Sequence, residues 1–206
     1  MSKYIWLLDA GHGGMKDGVY TTAPAKMHVF DDGLTFYEGV NNRAIVDKLS
    51  TMLVVNNIEH RSVHDHEPDT PLKVRVNLAN RLHAETKRCI YLSVHSDAMP
   101  EESHGKGSGI SVFTSIGQTS SDVLAEIFCT TYQRMLSQFK FRKDTSDGDQ
   151  DKEENFYVLR KTICPAILTE NLFFDNRNEA EFLLSADGQN QIALTLLNAI
   201  LTIEDR

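Results

Sequence analysis

The chain has 206 residues, 41% of them hydrophobic and 24% charged, with 12 Gly and 5 Pro; that is enough apolar material for one sizeable core, and it excludes a disordered or fibrous protein. Its 21 Lys and Arg against 29 Asp and Glu leave a net charge of −8, a mean field that repels phosphate backbones and anionic lipid, so neither nucleic acid nor membrane is expected as a partner. Cys89, Cys129 and Cys164 lie far apart without a Cys-x-x-Cys pair and read as buried free thiols.

The apolar run Tyr4 to Leu8 is too short for a signal-peptide core and no stretch approaches a membrane span, so a chain synthesised in the cytoplasm is expected. That run reads as a buried strand emptying into the glycine-rich loop Asp9-Ala10-Gly11-His12-Gly13-Gly14. Apolar residues at helical spacing from Val40 to Val54 predict a helix opened by Glu38. Ile58 to Val63 is a short strand and Leu72 to Ala84 an amphipathic helix. Cys89 to His95 is a second buried strand that ends in a histidine. A strand follows at Ile110 to Thr114, then a helix from about Ser121 to Phe139. Lys143 to Asn155 holds no large apolar residue and reads as a solvated loop. Phe156 to Leu159 and Ala166 to Thr169 are read as two more strands, with Glu170 at the exit of the second; helices at about Asn178 to Leu184 and Gly188 to Ile203 close the chain.

Strands alternating with helices predict an α/β sheet covered on both faces, and no repeat or linker divides the chain, so one domain over 1–206 is expected. In such sheets chemistry gathers beyond the carboxyl ends of the strands. Asp9, His12, His95 and Glu170 all fall there. Two imidazoles and a carboxylate are a donor set suited to catalytic zinc with one position left for water, and His12, Glu38 and His95 fit it. Glu170, free of the metal, could then move the proton. Asp9 could accept the second N–H of a ligand imidazole, or simply cap its loop.

Spacing alone does not make these residues a site, because no short signature such as His-Glu-x-x-His is present. The order of the segments adds more. Leu8-Asp9-Ala10-Gly11-His12-Gly13-Gly14, Glu38-Gly39-Val40-Asn41, Ser93-Val94-His95-Ser96-Asp97-Ala98 and Leu168-Thr169-Glu170-Asn171-Leu172-Phe173 follow one another as in the zinc-dependent N-acetylmuramoyl-L-alanine amidases of the family 3 type, which the chain resembles over nearly its whole length. The resemblance implies a single α/β domain with a twisted, mostly parallel sheet of about six strands and helices on both faces. It implies Zn²⁺ on His12, Glu38 and His95, with Glu170 as the catalytic glutamate. The implied substrate is peptidoglycan, cut between N-acetylmuramic acid and L-alanine; a zinc peptidase of the stem or cross-bridge, or a non-catalytic wall-binding protein on the same fold, are the alternatives. Ala10 stands where the family usually has proline, Asp97 where asparagine is common and Asn171 where glycine is common. Met15 to Tyr37 is long enough for a flap beside the cleft. A monomer acting on the wall after release by a phage-type lysis pathway is expected.

Other residues carry weaker signals. His64-Asp65-His66 resembles a metal clip but runs into Pro68 and reads as a solvated turn. His28, His60 and His83 are assigned to surfaces or helix edges and His104 to a surface loop, with reach into the cleft as its alternative; an ion pair with Arg160 or Arg177 is the alternative role for Glu170.

Overall fold

The computed structural model describes residues 2–205. In chain order the elements are β1 (Ile5–Ala10), β2 (Met15–Lys16), β3 (Val19–Tyr20), β4 (Met27–Val29), β5 (Thr35–Tyr37), α1 (Glu38–Val55), β6 (His60–Ser62), α2 (Leu72–Thr86), β7 (Cys89–Asp97), β8 (Ser111–Thr114), α3 (Asp122–Met135), β9 (Lys152–Glu153), α4 (Tyr157–Lys161), β10 (Ala166–Phe173), α5 (Arg177–Leu184) and α6 (Ala186–Glu204). Six strands form one sheet in the order β6-β1-β7-β10-β8-β9, parallel throughout except where β8 runs against β10. The expected single α/β domain with a mostly parallel sheet is therefore present. No helix among the described residues is long and apolar enough to cross a membrane.

The period-two geometry of a strand sends alternate side chains to opposite faces, so strands covered on both sides must be apolar throughout. β1 obeys this: Trp6, Leu8 and Ala10 enter the larger core beneath α1, α3 and α6, while Ile5 and Leu7 enter the smaller one beneath α2 and α4. β7 repeats the division with Ile90, Leu92 and Val94 against Cys89 and Tyr91. All three cysteines are free and buried, as the sequence indicated.

Two predicted elements differ. Phe156 to Leu159 has strand-like composition, yet the segment becomes the short helix α4, whose Val158 and Leu159 are buried in the smaller core. Asn80 on α2 holds the turn beyond it, donating to Lys161 O (2.9 Å) and accepting from Ile163 N (2.9 Å). Five residues are too few for a helical period to register in the sequence. The segment Lys143 to Asn155 is not wholly a solvated loop: Lys152 and Glu153 form the edge strand β9, and Asp151 is buried where Thr114 donates to it (2.7 Å). A strand anchored by a polar contact leaves no hydrophobic trace. The expected flap, Met15 to Tyr37, holds two small hairpins, β2-β3 and β4-β5.

The two ends of the chain close on each other. Glu204 accepts from Lys3 N (2.6 Å), Ser2 Oγ (3.1 Å) and the Trp6 indole N–H (2.9 Å), the last of these buried. Removing the acceptor strands a buried donor, so Glu204→Ala should lower stability by about 1–3 kcal/mol in urea unfolding, and a loss below about 0.5 kcal/mol would show that the clasp contributes nothing.

Candidate active site and metal centre

β1, β7 and β10 are adjacent and parallel, so their carboxyl ends open on one edge of the sheet. β1 delivers the loop that carries His12. His95, near the end of β7, is the direct register partner of Glu170 on β10, which places both side chains on the α2 side of the sheet with Tyr91 and Ser93. Glu38 comes from the opposite layer as the first residue of α1. That helix start has no side-chain cap; Glu38 N donates instead to Lys26 O (3.0 Å) and Gly39 N to the Tyr20 hydroxyl (3.0 Å), so the flap hairpins satisfy donors a helix start leaves free. Two glycines permit this convergence. A Cβ on Gly11 would lie 2.1 Å from His95 Cε1, and one on Gly39 would lie 2.0 Å from Gly13 O.

The donor atoms of His12, Glu38 and His95 all lie within 4.8 Å of one another. Glu38 Oε1 is 3.3 Å from His12 Nε2 and 3.1 Å from His95 Nδ1, and the two rings meet edge to face with centroids 4.9 Å apart. Glu38 is fully buried, and burial alone would push its carboxyl upward; the close approach and charge of the His12 and His95 rings outweigh that and hold it well below the usual carboxylate range. His12 Nε2 and Glu38 Oε2 have no hydrogen-bond partner among the described residues. An orphaned nitrogen on one imidazole, a second imidazole beside it and an ionised carboxylate with an unpartnered oxygen fit a divalent cation of the zinc type.

Glu170 has the opposite environment. Burial raises its carboxyl well above the ordinary value, the negative charges of Glu38 and Asp97 raise it further, and its Oε2 meets no hydrogen-bond partner. Neither arginine weighed against it is its partner: Arg177 pairs with Asp32 and Glu181, and Arg160 lies over the Tyr157 ring. Asn171 braces the neighbouring strand, donating to His95 O (2.9 Å) and accepting from the Tyr132 hydroxyl (2.6 Å). A register shift between Glu170 and Phe173, with Leu172 at φ 65°, then bends the strand away.

The loop carrying His12 is held from both layers. Arg75 of α2 pairs with buried Asp9 and donates to Ala10 O (2.6 Å) and His12 O (2.9 Å). Arg43 of α1 reaches the same His12 O (2.8 Å) and also Gly39 O (2.9 Å). Asp9 thus does not orient an imidazole: its carboxylate accepts from Arg75, Tyr91 (2.7 Å) and Ser93 (2.8 Å), and although burial opposes ionisation these contacts keep its pKa low. His64 is not a solvated turn residue either, since its Nδ1 accepts from Ala10 N (3.1 Å), and burial keeps the ring below its ordinary pKa, in the neutral form that acceptance requires. His104 packs on His28 beside the flap, away from this cleft.

The site floors a cleft of about 210 Å³ whose walls include Leu72, Phe156 and Tyr157, with Lys26 reaching in from the flap to within 3.8 Å of Glu38 Oε2. Lys26 and Arg43 carry no signal in the sequence, because one depends on how a hairpin folds back and the other on the relation of helix to loop. Arg75, in contrast, lies on the helix that the sequence pattern predicts from Leu72 to Ala84.

Two half-buried imidazoles and a buried carboxylate, with a further acid one strand away, on the carboxyl edge of an α/β sheet, are a donor set that could hold a metal ion. The chain belongs to the N-acetylmuramoyl-L-alanine amidase family, whose model matches residues 7–202. It is 27% identical over 197 residues to the endolysin of Bacillus phage SPP1, covering 94% of this chain and 63% of that protein. It is 28% identical over 197 residues to the N-acetylmuramoyl-L-alanine amidase CwlM of Bacillus licheniformis, covering 90% and 63%. The chain therefore spans less than two thirds of the length of these relatives. Its fold matches that of the N-acetylmuramoyl-L-alanine amidase of Clostridium difficile 630 (TM-score 0.77, 24% identity, 100% and 98% of the two chains) and AmiC2 of Nostoc punctiforme (TM-score 0.76, 24% identity, 99% and 98%).

Two consequences are measurable. A raised folded-state pKa on an acid favours folding below the unfolded value and withdraws that contribution as pH rises toward the folded one. The metal-stripped protein should therefore lose stability through Glu170 as pH rises above about 4.5, and Glu170→Gln should melt higher than the parent near pH 7. An unchanged or lower melting temperature would remove the burden assigned to that carboxyl. Arg75→Met leaves Asp9 ionised, buried and unpaired, and should cost about 3–5 kcal/mol in denaturant unfolding; a loss under about 1 kcal/mol would show that Arg43 alone suffices.

Proposed function

We propose that the chain is a zinc-dependent N-acetylmuramoyl-L-alanine amidase that hydrolyses the amide between the lactyl group of N-acetylmuramic acid and the first L-alanine of peptidoglycan. The observation that carries this reading is the meeting of His12, Glu38 and His95 donor atoms within 4.8 Å, beside a Glu170 that is paired in register with His95. Family membership supports the choice of bond, and the nitrogen and oxygen donors support zinc. His12, Glu38 and His95 would hold the ion, which when bound supplies Lewis acidity to polarise an amide carbonyl and to acidify water near neutral pH.

The chain's own residues divide the remaining work by environment. Glu38, kept ionised by its two imidazoles, is suited to permanent ligation. Glu170 is the carboxyl left free to move a proton: it takes one from the attacking water and returns it to the departing alanine nitrogen. Its burial favours the protonated form needed in the second half of that exchange. Arg75 and Arg43 fix the carbonyl of His12, and with it the backbone that aims the imidazole. Leu72, Phe156 and Tyr157 give the cleft an apolar wall against which the methyl groups of the lactyl and alanyl units can lie. With net charge −8 the protein gains nothing from long-range attraction to an anionic wall, so binding rests on contacts within the cleft. The likeness to a phage endolysin supports a lytic setting.

Glu170→Ala should lower turnover of purified walls by at least about 100-fold while metal content stays at the parental level. His95→Ala should lose the metal itself, read by elemental analysis. Near-parental hydrolysis by the first variant would dismiss Glu170 as the proton carrier, and stoichiometric metal in the second would remove His95 from the ligand set. Mass spectrometry of the digest should find peptides with free N-terminal L-alanine and intact glycan; alanine still attached to muramic acid would indicate a peptidase instead.

A further inference from the structure

The cleft carries one cationic side chain that neither the metal ligands nor the loop beneath them employ. Lys26 and Arg75 are the lysine and arginine among its lining residues. The Arg75 side chain is 1% exposed and each nitrogen of its guanidinium is taken: Nε donates to Thr70 O (2.7 Å), one terminal nitrogen serves Asp9 and Ala10 O, and the other serves His12 O and Asp69. Lys26 is its opposite. Its side chain is 48% exposed, and its ammonium lies 3.8 Å from Glu38 Oε2, beyond hydrogen-bond range. The Lys26 backbone, in contrast, is fixed: its carbonyl accepts from Glu38 N (3.0 Å) and from the Tyr20 hydroxyl (3.1 Å), so the side chain starts from a point tied to the first residue of α1. That point has φ 59°, a left-handed conformation that glycine adopts freely and lysine does not. The charge also acts on Glu170, whose carboxyl Lys26 and Arg142 pull downward against burial. The ammonium is thus within electrostatic reach of both carboxyl groups assigned to the chemistry.

With its carboxylate engaged in metal ligation, Glu38 no longer suits an ammonium, and the partner that does is an anion entering with the substrate. Two kinds arise in the proposed reaction: the oxyanion developing on the scissile carbonyl, and a carboxylate already present on the stem peptide. An oxyanion needs donors held rigidly in place, which a half-exposed lysine on a flexible stem is not; capturing a ground-state carboxylate needs only a point charge within reach. We propose that Lys26 binds the free α-carboxylate of the stem residue that follows L-alanine, and so makes the enzyme prefer stems in which that group is charged over stems in which it is amidated. That carboxylate lies within about 7 Å of the scissile nitrogen, since two extended residues span no more. The assignment rests on the amidase reading given above and adds to it the charge of the stem that the cleft selects.

The test uses two soluble N-acetylmuramoyl tripeptides that differ only in whether the second stem residue carries a free α-carboxylate or its carboxamide. Affinity for each is measured by calorimetry on the metal-loaded full chain carrying Glu170→Ala, and kcat and KM are measured on the chain with Glu170 intact. The carboxylate form should bind about 10-fold more tightly, with the advantage falling mainly on KM. Lys26→Met should shrink the preference to within about 2-fold and Lys26→Glu should reverse it, while Lys26→Arg keeps most of it, each at parental metal content. Because the lysine is half-exposed, about 0.3 M NaCl should narrow the preference in the chain that retains Lys26, a readout that stands if a variant does not fold. The proposal is overturned if neither fragment binds, if both bind equally, if Lys26→Met keeps the preference, or if that variant weakens both fragments alike, which is the result a mere brace for Glu38 gives. Failure of the amidase reading is distinguishable: the carboxylate preference in binding would persist while neither fragment yields a peptide with free N-terminal L-alanine.

Discussion

The geometry of the cleft depends on two guanidinium groups that meet at one carbonyl. Arg75 comes from the helix layer on one face of the sheet and Arg43 from the layer on the other, and both donate to His12 O. A glycine-rich loop has little intrinsic preference for a single path, and His12 itself sits at φ 62°, where a side chain is disfavoured. Fixed donors on both sides offset that cost. The ionised Asp9 in turn keeps Arg75 in place, so a buried ion pair beneath the loop fixes the position of an imidazole above it.

The same logic explains how two acids so close together can behave differently. Glu38 meets two imidazoles and the amide of Asn42 (3.3 Å), while Glu170 meets the negative charges of Glu38 and Asp97 and no donor at its Oε2. Each environment is set by backbone position: one residue starts a helix, the other sits mid-strand beside His95. The chemistry assigned to each follows from where the fold places it, since the side chains are identical.

Much of this was legible in the sequence because it rests on local pattern. The strand ends at Asp9 and His95, the helix beginning at Glu38 and the exit strand carrying Glu170 are all marked by a switch of hydrophobic period followed by polar residues. Their convergence was not local; it came from the order of four segments resembling one family, and the structure brings those segments together. What escaped was polar architecture between distant segments. Asp9 looked like a possible partner for histidine and instead holds arginine; His64 looked solvated and instead accepts the Ala10 N–H. Phe156 to Leu159 has the residue types of a strand but forms a single helical turn against α2, and Lys152–Glu153 is a strand without any apolar residue. Composition cannot report a contact whose partner lies forty or more positions away.

The clasp formed by Glu204 across the first described residues also sets which side of the molecule those segments occupy. It lies at the amino-terminal edge of β1, whereas the cleft opens at the carboxyl-terminal edges of β1, β7 and β10. Ser2, Lys3 and Glu204 therefore lie together on the side of the sheet opposite the cleft. A ligand approaching the front of the cleft thus meets neither the Glu204 clasp nor the segments it joins.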